Sequence, residues 1–475
     1  MTAKTARVPL GTLTGYGIGQ LGAQIFRDTP AVLLPIFMTT ILGVPAWLAG
    51  IAILIPKLWV ILCDPLVGVW SDRLKPTRGR TPFLFWGALL TGLGFAALFV
   101  VTDYGSPWLA AGAVCLLFLL ASTGFSVYSV PYLAVASELS ADSHERTRIL
   151  AYRMVATIGG VILGVGVAQP LVFALGGGPH GWHVMAFSFA LVCLLSMALP
   201  AFALRRVPLL EGDAAPAKLL HQMKPVLANK PYLVLLATSF VQGIGQASGY
   251  TVIGFFYLYA LGEVDLIPKF VLVMATGSMV SQPLFLWLSR NFGKVPVYWV
   301  ASILWTLITI SWFYVYAGSP VLFELPLLGR LTEQGALVLV RAFLIGITNT
   351  GFLLLSLSML TDTVEYQRRR FGVANEGVFS GIWSAAEKLA FAMGPLVAGF
   401  VMSFYGFQSS NTGAVAQSAG AITGIKLLYS YIPAGTQVLS LIVFSRYRLD
   451  PSLIGEGARM EPAPAVEASE AGLHS

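Results

Sequence analysis

Long apolar runs, each closed by a short polar or charged stretch, recur about twelve times along the chain. Each run is long enough to cross a bilayer, which takes about 20 helical residues. The runs predict helices over 12–42, 47–71, 82–102, 107–138, 149–174 and 182–204. After a polar connector, 205–230, they resume over 231–261, 268–289, 295–317, 335–361, 377–405 and 421–445. The stretches between them alternate in charge. Every second one is basic: Arg73, Lys75, Arg78 and Arg80; Arg146 and Arg148; Arg205, Arg206, Lys218, Lys224 and Lys230; Arg290 and Lys294; Arg368, Arg369 and Arg370. The others carry Asp103, Glu263, Asp265, Glu324 and Glu333, with little basic beyond Lys269 and Arg330. Lys and Arg accumulate in cytoplasmic loops, so both termini are expected in the cytoplasm, which demands an even number of spans.

Six spans, a connector and six more spans read as a duplicated unit. Gly17-Ile-Gly-Gln20 in the first span recurs as Gly243-Ile-Gly-Gln246 in the seventh. Asp64-Pro-Leu in the second has its counterpart in Gln282-Pro-Leu in the eighth. The expected architecture is an all-α membrane protein of twelve transmembrane helices in two pseudo-symmetric six-helix bundles, 1–204 and 231–445. The Ala-, Glu- and Pro-rich end, 446–475, is expected to form a disordered cytoplasmic tail.

Composition agrees. Of 475 residues, 56% are hydrophobic and only 11% charged, with a mean hydropathy of +0.76, whereas soluble domains are roughly 25% charged. The net charge of +7 invites a nucleic-acid partner, but its placement in alternate loops explains it as topology, and none is expected. Cys63, Cys115 and Cys193 lie far apart in apolar runs and read as small core side chains. Met1–Leu10 is too short and polar for a cleaved signal peptide, so the first span is expected to stay. There is no Walker-type phosphate loop. The five histidines, His144, His180, His183, His221 and His474, fall in loops or the tail. No metal site, cofactor or enzyme activity is therefore expected.

The chemistry lies inside the spans, where an ionisable residue is costly and marks a candidate functional site. Lys57, Val60, Asp64 and Gly68 share one helical face at 100° per residue. Pro65 leaves the Ile61 carbonyl without its helical donor, which loosens the backbone beside Asp64. Candidate charge partners for Asp64 are Lys57, Arg153 in the fifth span and Lys388 in the eleventh. The first span carries a polar stripe, Gln20, Gln24, Arg27 and Asp28, and the seventh repeats it with Gln242, Gln246 and Tyr250. Two such stripes at matching places point to a wet cavity between the halves. The loop Asp72-Arg-Leu-Lys-Pro-Thr-Arg-Gly-Arg80 and the stretch from Asp362 and Glu365 to Arg370 admit two readings. One is plain positive-inside topology; the other is a charge network closing the cytoplasmic side, with Asp72, Arg73, Arg80, Asp362 and Glu365 as the gate.

These residues carry a resemblance. Gly68-x-x-x-Asp72-Arg73, followed by basic residues through Arg80, resembles the loop signature of the major facilitator superfamily. Lys57-x-Trp59-x-x-x-x-Asp64-Pro65-x-x-Gly68, Tyr152-Arg153, Asp362-x-x-Glu365-Tyr366 and Lys388 resemble the glycoside-pentoside-hexuronide:cation symporters over nearly the whole chain. The resemblance implies the major facilitator fold, a cation site at Asp64 and a central cavity holding Arg153 and Lys388. It also shows departures. Val60 stands where sodium-using members carry a second carboxylate. Gln24 and Ser129 stand where the melibiose type has aspartates, and Leu133 and Leu353 where it has tryptophans.

The expected function is thus a secondary active symporter moving a glycoside or related sugar, acidic ones included, by alternating access. A single carboxylate favours H+, because losing a hard oxygen ligand weakens Na+ binding. Na+ stays open, with Asp28 as a stand-in carboxylate beside Asp64. The expected substrate-binding set is Gln20, Gln24, Arg27, Ser129, Arg153, Gln242, Gln246, Asn349 and Lys388, with Lys57 as charge partner. The alternative is a transporter of the same fold for amphipathic or lysolipid-like anions. The expected partners are a small-molecule substrate and the lipid bilayer, and the expected state a monomer in the plasma membrane, the inner membrane if prokaryotic.

Overall fold

The computed structural model describes residues 8–140, 143–205, 207, 226, 228–325, 329–371 and 376–449. Most of the connector and the chain beyond Leu449 lie outside the described residues.

Helices that continue one another make twelve rods. The first, α1, joins Leu10–Gly17 to Gly19–Thr40 through Ile18, which keeps helical backbone angles. It is followed by α2, Ala46–Arg78, α3, Thr81–Val100, and α4, Pro107–Glu138. The fifth rod, α5, runs through Ser143–Val161, a wider turn at Ile162–Val167 and Ala168–Ala174. The first half closes with α6, Pro179–Ala203. The second half opens with α7, Lys230–Phe255 continued by Phe256–Leu261, then α8, Leu266–Phe292, and α9, Lys294–Tyr314. It ends with α10, Glu333–Phe371, α11, Glu376–Phe404, and α12, Ala419–Phe444. Between α9 and α10 a short antiparallel hairpin, β1 Val321–Leu325 and β2 Gly329–Thr332, adds an element that the apolar pattern does not predict.

The pairing of rods repeats between halves. In the first, α2 packs on α4, α3 on α4 and α6, and α1 on α5 and α6. In the second, α8 packs on α10, α9 on α10 and α12, and α7 on α11 and α12. The seam obeys the same exchange: α2 meets α11 as α8 meets α5, and α1 meets α7. Tyr447 is buried and stacks on Phe444 at 5.2 Å, so the residues just past α12 pack on the bundle and the expected tail cannot begin at 446.

Ten of the rods are long and apolar enough to cross a membrane by composition; α1 and α7 fall short. The cause is their polar stripes, and the remedy is burial. From Gly19 to Thr40, 19 of 22 residues of α1 are buried, which spares their polar groups from lipid.

The rods alternate in direction, so α1 starts and α12 ends on one side, which we call the terminal side. On the far side the halves lock together. Gln169 of α5 donates to Gly254 O of α7 at 3.0 Å, and Trp47 N of α2 donates to Ser403 Oγ of α11 at 3.0 Å. The loop after α11 pairs with the end of α1, Ser410 N to Thr39 O at 2.8 Å and Gly413 N to Thr40 O at 2.9 Å. Glycine makes this approach possible: a methyl group at Gly50 would stand 2.5 Å from the Pro395 carbonyl oxygen. At mid-depth the seam is crossed by Lys57 with Phe391 and by Lys388 with Asp64. The far-side bonds close the halves on each other there.

Candidate functional site

Asp64 lies eighteen residues after Ala46 and fourteen before Arg78, near the middle of α2. Of its three candidate partners, the fold selects Lys388: the Nζ of Lys388 on α11 donates to Asp64 Oδ2 across the seam. The lysine side chain is 44% exposed and the aspartate 16%, so the pair stands at the wall of a wet space. Asp64 Oδ1 is buried with no partner among the described residues.

Lys57 and Arg153 pair elsewhere. The Lys57 ammonium is two turns up α2 and donates to Phe391 O at 3.4 Å. That carbonyl is free because Pro395, four residues on, has no N–H to give it. Lys57 is therefore not the charge partner of Asp64 in this conformation; it joins α2 to α11 through a carbonyl. Arg153 Nε donates to Gln20 Oε1 at 2.9 Å, and its guanidinium lies over the Tyr132 ring at 5.6 Å. Tyr132 is fixed in turn by Tyr16. Their rings stack at 4.5 Å, and each hydroxyl donates to the other's carbonyl, at 2.9 and 2.8 Å. The sequence gives no hint of this tyrosine clamp, which places Arg153.

The α1 stripe forms one hydrogen-bonded line. Gln20 Nε2 donates to Gln24 Oε1 at 3.4 Å, Gln24 Nε2 donates to Asp28 Oδ2 at 2.7 Å, and Arg27 Nε stands 3.4 Å from Asp28 Oδ1. The line lies on the helix that meets α7, which carries Tyr250. With both oxygens engaged, Asp28 has less to offer a cation than Asp64. On α7, Gln242 Oε1 accepts from Tyr298 at 3.4 Å, whereas Gln242 Nε2 and Gln246 Nε2 are buried with no partner among the described residues. Ser129 on α4 and Asn349 on α10 are half-buried. The helices of the site carry Arg27, Lys57, Arg153 and Lys388, together with Asp28, Asp64 and, next to Lys388, the exposed Glu387.

At the terminal side the expected gate resolves into ion pairs within each half. Arg80 is buried, donating to Glu138 through Nε at 2.9 Å and Nη2 at 2.7 Å, to Asp72 at 2.7 Å and to Ser71 at 3.0 Å. Lys75 adds a further contact to Glu138 at 2.9 Å. In the second half Lys294 Nζ grips Asp362 at 2.8 and 2.6 Å. Both pairs join the start of a third helix to the lower part of a fourth, another echo of the duplication. Glu138 and Lys294 are the residues that the sequence reading left out. Arg73 is exposed and joins no ion pair among the described residues, and Glu365 pairs along its own helix with Arg369 at 2.6 Å. Neither bridges the halves.

A duplicated bundle with a buried polar line and, at mid-depth, a charge pair across its seam defines a membrane transporter of the major facilitator fold. The chain belongs to the MFS/sugar transport protein family, which it matches over residues 15–451. It is similar to the inner membrane symporter YicJ of Escherichia coli, 23% identical over 91% of this chain and 90% of that one. It is also similar to the isoprimeverose transporter of Lactiplantibacillus pentosus, 22% identical over 94% and 91% of the two chains. Among solved structures the nucleoside transporter NupG superposes with a TM-score of 0.63, at 14% identity, over 92% of this chain and all of that one.

Proposed function

We propose that the protein is a cation symporter for a glycoside or related sugar, acidic ones included, working by rocking its halves about the mid-depth site. The observation that carries this reading is the Asp64–Lys388 pair. A carboxylate with one unpartnered oxygen, held by a lysine of the opposite half, ties ion occupancy to the seam that must open and close. The kinship with a symporter and a sugar transporter supports the substrate class.

The coupling ion is H+. Val60 brings no oxygen one turn from Asp64, and a proton needs one carboxylate where Na+ needs several oxygens. Asp64 carries the ion; Gln20, Gln24, Arg27, Ser129, Arg153, Gln242, Gln246, Asn349 and Lys388 contribute the substrate site. The moving bodies are 1–204 and 231–445, joined by 205–230. The protein catalyses no reaction, acts as a monomer and sits in the plasma membrane with its terminal side, and so both termini, in the cytoplasm.

Uptake by proteoliposomes under separately imposed pH and Na+ gradients tests the ion. Accumulation driven by pH alone is expected; accumulation driven by Na+ at constant pH overturns it. One observation favours a second reading, transport of amphipathic anions: Leu133 and Leu353 are exposed, at 55% and 54%, where aromatic faces would suit sugars. Flux of a lysolipid with none of any glycoside would select it.

A further inference from the structure

Arg27 is the exception on its helix. Nineteen of the 22 residues from Gly19 to Thr40 are buried, yet the Arg27 side chain is 67% exposed. It lies seventeen residues after Leu10 and thirteen before Thr40, at mid-depth. It adjoins the Gln24–Asp28 stripe, on the helix that meets α7 of the opposite half.

Its geometry is that of an unfinished clamp. Asp28 engages only Nε, at 3.4 Å. The Nη1–Nη2 edge makes no ion pair with any described residue. Asp28 is itself held, Gln24 donating to its Oδ2 at 2.7 Å. The guanidinium is therefore held from one side and offered on the other. A planar two-donor edge matches a carboxylate or sulfonate bidentately. Two further cations have neutral partners: Arg153 is spent on an amide and Lys57 on a carbonyl. One turn from Tyr250, Gln246 Nε2 has no partner among the described residues and can serve a hydroxyl.

We propose that Arg27 is the anion anchor of the substrate site, taking the carboxylate or sulfonate of a polyhydroxylated substrate on its Nη1–Nη2 edge. Asp28 is a positioning residue that aims the fork, not a carrier of the coupling ion. This rests on the glycoside-transport reading above.

Counterflow in proteoliposomes tests it, using matched pairs of hexose glycosides that differ only in a C6 alcohol or C6 carboxylate. The wild type is expected to carry the acid of at least one pair about tenfold better than the alcohol, as one bidentate charge-assisted contact allows. Arg27→Gln is expected to erase that preference, the acid's rate falling about tenfold further than the alcohol's, and Arg27→Lys, which keeps charge without the fork, to restore part of it. Asp28→Asn is expected to weaken acid binding while pH-driven accumulation persists. Equal transport of acid and alcohol by the wild type, or an Arg27→Gln loss that falls alike on both, overturns the anchor and leaves glycoside transport standing. Transport of no pair member by the wild type removes the glycoside reading and this inference with it.

Discussion

Lys388 of α11 and Asp64 of α2 hold each other across the seam between the halves, near the middle of both helices. On the proposed reading, protonating or occupying Asp64 takes away the charge that retains Lys388, so that loading the ion and loosening the seam are one event. Asp64→Asn is expected to abolish pH-driven accumulation while sparing exchange of substrate at equilibrium. Counterflow and uphill uptake measured on the same vesicles check this; unchanged accumulation refutes the assignment.

Arg153 is placed by Gln20 and by the Tyr132 ring. A lysine keeps the charge but loses the Nε donor and the flat face. With a hydrogen bond to a charged group worth about 1.5–3 kcal/mol, Arg153→Lys should weaken substrate binding about tenfold or more. Equilibrium binding by calorimetry measures it, and wild-type affinity would show that Arg153 stands outside the site.

The two ion pairs at the terminal side should differ in weight. Arg80 and Glu138 are both buried, whereas Lys294 is about one-third exposed. Removing one partner of a buried pair costs about 3–5 kcal/mol, a partly exposed pair about 1 kcal/mol or less. Arg80→Ala is expected to lower the melting temperature in detergent clearly more than Lys294→Ala. An equal drop would mean that burial does not set their worth.

Gly50 lets α2 seat against the Pro395 carbonyl. Gly50→Leu is expected to hold the far side ajar, since overpacking costs about 1–3 kcal/mol, enough to shift a two-state population about tenfold. A cysteine at Ala46, buried in the wild type and beside Gly399, should then react faster with a membrane-impermeant thiol reagent. An unchanged rate would place the closing contact elsewhere.

Most of the fold was legible because apolar length and charge alternation are local properties of the chain. Charge alternation supports α1 and α7, whose apolarity falls short of that of the other rods. Asp64 announced itself as a carboxylate in an apolar run, but its partner did not: Lys57, Arg153 and Lys388 were equal candidates until the packing of α11 on α2 chose among them. Glu138 was hidden at the end of an apolar run, where a charge looks like a helix terminus. The Tyr16–Tyr132 clamp joins positions 116 residues apart, beyond any periodicity. The β1–β2 hairpin was missed because its five- and four-residue strands are too brief to stand out between long spans.

The shortfall in apolarity of α1 and α7 bears on how the protein is made. Each is the first helix of its half to leave the ribosome, and each packs on the last helix of that half, α1 on α6 and α7 on α12. Cys193 of α6 donates its Sγ to Gly22 O of α1 from 171 residues away. The least lipid-compatible helix of each half thus finds its shelter only when synthesis of that half is nearly complete. Until then it needs a protected berth, at the translocon or with an insertion chaperone, so assembly is expected to proceed in two batches of six.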